Sequence, residues 1–178
     1  MTPAEVADVE GVLVTAGLVA ALAIAIASTN VAIRARVGDA LSGTGTWIAA
    51  GIALLATGGS LWFSESAGFP PCQLCWYQRI AMYPLVVVLG IAAVRRSATG
   101  RITGITIAAV GLAVSGWHIL VENYPSLDAG GCDPDNPCTI RWVEGLGFWT
   151  IPRMAAGCFA LILVLTTVDH LTQRTPKD

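Results

Sequence analysis

Apolar residues run with little interruption through five stretches of the chain: Gly11 to Ile33, Thr46 to Phe63, Tyr77 to Val94, Ile102 to Val121 and Phe148 to Val168. Each is long enough for a hydrocarbon core of about 30 Å, which takes roughly 20 helical residues. An unpaired backbone group in lipid costs several kcal/mol, so each stretch is expected to be a helix rather than an open strand. The expected fold class is all-α, a polytopic membrane protein with five spans. The first stretch follows acidic residues (Glu5, Asp8, Glu10) and is too long for the apolar part of a signal peptide, so it is expected to be a retained helix.

Composition agrees with this pattern. The 178 residues are 54% hydrophobic and 12% charged, far from the balance of a soluble domain, and a net charge of -2 offers no basic face for nucleic acid. The charges also orient the spans, because Lys and Arg collect on the cytoplasmic side. Arg34 and Arg36, then Arg95, Arg96 and Arg101, then Arg174 and Lys177 fall on one side. Glu65, Glu122, Asp128, Asp133, Asp135, Glu144 and the acidic N-terminus fall on the other. Arg79, Arg141 and Arg153 break the rule, which invites a functional reading for them. The expected placement is a multi-pass protein of the cell membrane.

Four of the five cysteines lie on the acidic side, in two pairs, Cys72 with Cys75 and Cys132 with Cys138. That side is extracytoplasmic, where disulfides persist. Gly68-Phe69-Pro70-Pro71 ends the second span and restarts the chain, which puts Cys72 and Cys75 in the first turn of the third helix. Residues three apart on a helix share a face at a separation a disulfide allows. A helix N-terminus and a cation both stabilise a thiolate, and Arg79 lies one turn beyond Cys75. A structural staple and a zinc site are the alternatives, the latter disfavoured by the five residues between Cys132 and Cys138.

The segment from Asp128 to Trp142, DAGGCDPDNPCTIRW, is rich in turn formers and reads as mobile, accessible chain. Cys132 and Cys138 can close a small ring there, although Asp133 and Asp135 work against thiol reactivity. Two pairs on one side of a small bundle can pass electrons by thiol and disulfide exchange, whereas a single staple needs no second pair. His118 near the outer end of the fourth span is an ionisable group in a membrane helix, either a donor to a bound acceptor or a packed histidine. Glu122 reads as an interfacial charge, most aromatics as interfacial anchors with one or two lining a pocket, and Cys158 as an inert core thiol.

CQLCWYQR, from Cys72 to Arg79, with the RIAMYP that follows, resembles the signature of the disulfide bond formation protein B (DsbB) family. YPSLDAGGCDPDNPCTIRW and GFWTIP resemble its short-loop, BdbC-like branch, so the likeness runs from Trp47 to the end of the fifth span. The resemblance implies a four-helix bundle that reoxidises an extracytoplasmic thioredoxin-fold dithiol oxidase, DsbA-like, and passes electrons to membrane quinone of the ubiquinone or menaquinone type. It implies that the partner attacks Cys132, that Cys138 exchanges with Cys72, and that Cys75 reacts with quinone beside Arg79 and His118. The span from Gly11 to Ile33 has no counterpart in that bundle. Residues 1–45 are therefore expected to hold an extra helix and loop, 46–172 the bundle, and 173–178 a cytoplasmic tail. Two competing readings are a membrane anchor or small transporter with structural disulfides, and a bundle like vitamin K epoxide reductase. The order of CxxC, helix and loop pair argues against the second.

Overall fold

The computed structural model describes residues 2–27, 36–37, 40, 42–128 and 130–173. Among these residues five long helices follow one another: α1 Pro3–Ala27, α2 Gly45–Glu65, α3 Gln73–Arg95, α4 Ala98–Asn123 and α5 Ile151–Thr172. A 3₁₀ turn, Pro125–Asp128, follows α4, and a lone bridge pairs Gly145 with Trp149 before α5. All five long helices are long and apolar enough to cross a membrane, which makes this a multi-pass helical membrane protein.

The helices extend past the apolar stretches that announce them. α1 begins at Pro3, eight residues before Gly11, because its acidic start is accommodated. Glu5 accepts from the Thr2 backbone N–H at 2.7 Å while Thr2 Oγ1 accepts from the Glu5 backbone N–H at 3.3 Å, a reciprocal cap. Asp8 accepts from the Leu146 backbone N–H at 2.8 Å. Residues 28–33 of the expected first span, with Arg34, Arg174 and Lys177, lie outside the described residues.

Helices α2 to α5 surround a core of Ala49, Ala53, Leu85, Leu89, Ala108, Phe159 and Ile162, all buried. Small residues let the backbones approach: a Cβ at Gly111 would collide with the Phe159 ring, and one at Gly104 with Leu89. α1 lies outside this group against α5, with Val14 over Gly157, Gly17 over Leu161, and Trp149 Nε1 donating to Thr15 Oγ1 at 2.8 Å.

At one end of the bundle Asp169 of α5 is fully buried and accepts from the Gly43 backbone N–H at 2.6 Å, from the Thr46 backbone N–H at 3.3 Å and from the Thr46 hydroxyl. Thr44, the N-cap of α2, makes no side-chain cap, so a carboxylate from another helix satisfies that helix start. The opposite end carries both cysteine pairs.

Candidate active site

The chain leaves α2 through Gly68, whose φ of +74° suits glycine, and reaches α3 through Pro70 and Pro71. Phe69 stacks on Phe63 (centroids 6.2 Å apart) and on Trp142 (5.0 Å), which fixes this connection against the second cysteine loop. Cys72 then serves as the N-cap of α3, its sulfur accepting from the Cys75 backbone N–H at 3.4 Å. The two sulfurs share a hydrogen bond at 2.8 Å. The Cys75 thiol beside Cys72 holds the Cys72 thiol well below the usual thiol range, against the cost of burial, and His118 adds to the effect.

Cys132 and Cys138 form a disulfide with Cα atoms 5.9 Å apart. The loop around them is largely exposed, as expected, but the two cysteines are not: they are buried with Cys72 and Val121 in one cluster, with Cys75 at its edge. Cys132 donates its backbone N–H to Asp128 Oδ1 at 3.1 Å, and Asn136 Nδ2 donates to the Pro70 carbonyl at 3.4 Å, so the loop folds back over the start of α3. Asp133 and Asp135 stay on the exposed side.

His118 of α4 is buried and links the pairs. Its Nε2 is 3.1 Å from the Cys138 carbonyl oxygen and 3.8 Å from Cys72 Sγ. A carbonyl only accepts, so Nε2 carries the hydrogen in neutral His118. Nδ1 is then the acceptor for the Gln78 side-chain amide, 3.2 Å away. Gln78 lies inside the CQLCWYQR motif, three residues after Cys75, where neither residue type nor spacing marks it for a role. Cys72, Cys75 and His118 place two sulfurs and one ring nitrogen within 4.8 Å of one another, but both ring nitrogens are engaged in this hydrogen-bond chain.

Cys75 opens onto a cavity of about 420 Å³ between α1, α2, α3 and α5. Its wall is mostly apolar and includes Phe63, Met82, Trp142 and Phe159, with Arg79 and Gln78 among its polar groups. Arg79 is held by Ser60, donating from Nε to Oγ at 3.1 Å and from an Nη to the carbonyl at 2.9 Å, and its guanidinium lies 5.4 Å from the Trp76 ring centroid. His118 and Cys72 are not among the lining residues; with Cys75 they face a narrow crevice toward Glu122 and Arg141. Cys158, expected in the core, reaches the cavity wall from α5.

The two other arginines that broke the charge rule meet Glu122. Its side chain is 1% exposed, so it is a buried charge rather than an interfacial one, with Arg141 Nε at 3.1 Å and an Arg153 Nη at 3.6 Å. Arg141 also donates to Asn123 Oδ1 at 2.9 Å, and Arg153 to the Phe148 carbonyl at 2.7 Å. These contacts tie the segment after Cys138 to the end of α4.

The sequence model of the family described as disulfide bond formation protein DsbB matches residues 42–169. A probable disulfide formation protein of Oceanobacillus iheyensis is 42% identical over 115 residues, covering 64% of this chain and 79% of that protein. Disulfide bond formation protein C of Bacillus subtilis is 40% identical over 120 residues, covering 67% and 85%. No solved structure matches the chain. With four helices and a CxxC at a helix start inside a matched stretch that spans most of its length, the chain belongs to the DsbB family, in its BdbC-like branch.

Proposed function

We propose that the protein is a membrane thiol:quinone oxidoreductase that reoxidises an extracytoplasmic thioredoxin-fold dithiol oxidase and so supports disulfide formation in exported proteins. The observation that carries the reading is the burial of the Cys132–Cys138 disulfide and the Cys72/Cys75 dithiol in one cluster, with Cys75 alone of the four on the wall of the large cavity. Residues 46–172 form the exchange unit, with both cysteine pairs on the extracytoplasmic side.

A partner thiolate attacks Cys132 and displaces the Cys138 thiolate; the partner's second thiol then closes the partner's disulfide and frees Cys132. Cys138 attacks Cys72 of an oxidised Cys72–Cys75 pair, and Cys132 closes the loop disulfide again, leaving Cys72 and Cys75 as thiols. Free Cys72 and Cys75 beside a loop disulfide correspond to the state in which two electrons have reached the CxxC pair. The Nε2–H of His118, between Cys72 Sγ and the Cys138 carbonyl, stabilises Cys72 as a leaving thiolate and holds Cys138 near it. In this reading His118 acts at the exchange step.

The cavity fits a flat apolar ring that bears oxygens, because its wall is apolar apart from a few polar groups that include a fixed cation, Arg79, and a thiol, Cys75. A quinone bound there would supply the oxidant, accepting two electrons as Cys72 and Cys75 close to a disulfide, with one proton from the Cys75 thiol and a second from the site around it. Arg79 stabilises negative charge on Cys75 or on bound oxygen. The test is purified protein mixed with a reduced thioredoxin-fold dithiol protein and a soluble quinone analogue. Quinone absorbance should fall as the partner's disulfide forms, and Cys75→Ala should stop both. Folded wild-type protein that leaves the quinone oxidised and the partner reduced overturns the proposal.

A further inference from the structure

Helix α1 lies outside the stretch matched by the family model, yet it builds one wall of the cavity. Glu10, Leu13, Val14 and Gly17 line it at the 3–4–7 spacing that places residues on one helix face. Among the described residues that line it, Glu10 is the only acidic one and Arg79 the only basic one. It is half-buried, and among the described residues its carboxyl makes no hydrogen bond or ion pair; the ion pairs there belong to Glu122 and Glu144.

The bundle makes room for this carboxyl. A Cβ at Gly59 of α2 would collide with Glu10 Oε1, and the next residue, Ser60, is the one that holds Arg79. Consecutive positions on α2 thus seat an acid from α1 and a base from α3 at the same cavity. An ionisable side chain within a membrane helix that faces a cavity and has no structural partner has the properties of a proton carrier.

We propose that Glu10 is the acid group of the electron-acceptor pocket, donating a hydrogen bond and then a proton to an oxygen of a quinone-class acceptor. This rests on the quinone reading above. The Cys72 thiolate and the Cys75 thiol join as a disulfide, breaking the Cys75 S–H bond. Two electrons and that proton pass to the acceptor, the Glu10 carboxyl supplies the second proton, and Glu10 is left as carboxylate until water reprotonates it. α1 is in this sense a working wall of the site rather than a tether.

The test uses full-length protein, reduced beforehand, with a soluble quinone analogue. Binding is read by tryptophan fluorescence, since Trp142 lines the cavity, and single-turnover oxidation is read by quinone absorbance. Glu10→Gln keeps a hydrogen-bond donor without an acid, so binding should stay within about twofold while oxidation slows by about a hundredfold. Glu10→Ala should also weaken binding by about tenfold. Gly59→Ala displaces the flexible carboxyl end without removing it and should slow oxidation too; it decides the matter if the Glu10 variants melt before they can be assayed. Wild-type oxidation rates in Glu10→Gln and Gly59→Ala, or unchanged binding in Glu10→Ala, overturn the inference while leaving the quinone reading intact. Failure of the wild type to bind or reduce the analogue overturns that reading instead.

Discussion

Replacing His118 with alanine removes the ring that bridges the two cysteine pairs, and the geometry sets the size of the effect. A hydrogen bond to an ionised group contributes about 1.5–3 kcal/mol. The contact from Nε2 to Cys72 Sγ is long, 3.8 Å, and its hydrogen is shared with the Cys138 carbonyl at 3.1 Å, so the lower end applies. About 1.5 kcal/mol corresponds to about one pKa unit. The Cys75 thiol, which is the larger influence on Cys72, remains, so Cys72 should move only part of the way back toward an ordinary thiol. The assay is the pH dependence of Cys72 alkylation by iodoacetamide in the reduced protein, followed by mass spectrometry, with the midpoint expected to rise by about one unit. The buried Cys138 carbonyl also loses its partner, which should lower stability by about 1–3 kcal/mol. Because the folded pKa of Cys72 is depressed, its contribution to the stability of the dithiol form is fully present above the unfolded thiol pKa. That contribution is lost as pH falls through the folded value. In the variant, whose folded value is higher, the contribution should be smaller and its loss complete at higher pH. A folded His118→Ala protein with an unmoved alkylation midpoint refutes the role given to His118.

Cys138→Ala leaves Cys132 as a free thiol, so with a single-cysteine thioredoxin-fold partner activated as its thionitrobenzoate mixed disulfide, Cys132 should displace thionitrobenzoate and hold the partner covalently. A complex seen on a non-reducing gel, abolished by dithiothreitol and mapped to Cys132, is the expected result. Glu122→Gln removes the charge that Arg141 and Arg153 share; both arginines still reach solvent and Arg141 keeps Glu144, so the cost should be about 1–2 kcal/mol. The loss should appear as a lower melting temperature and as faster hydrogen exchange in residues 130–142.

The five helices were legible because lipid removes the alternatives: runs such as Ile102 to Val121 admit one regular structure. Their ends were less so. Hydropathy places the start of the first span after Glu10, while the structure carries α1 back to Pro3. The reason is that Glu5 closes a cap with Thr2 and Asp8 takes the Leu146 N–H. The cysteine pairs and Arg79 stood out by residue type and spacing. Gln78 and Ser60 did not, because an amide or hydroxyl in an apolar helix gains its meaning only from what lies across the interface. Glu122 was visible as a charge but not as a buried one, since its partners Arg141 and Arg153 come from a loop and another helix. The mobile loop expected around Cys132 and Cys138 is exposed chain whose two cysteines turn inward, a distinction that turn-forming composition cannot make.

The carboxylate of Asp169 has a consequence beyond satisfying a helix start. It sits at the last residue matched by the family model and grips Gly43 and Thr46, close to the first. The two termini of the four-helix unit are therefore fastened to each other, and the unit closes on itself without help from upstream chain. An added N-terminal element such as α1 can then be attached at that seam as a module, lending residues to the cavity while the ring that holds the cysteines stays shut.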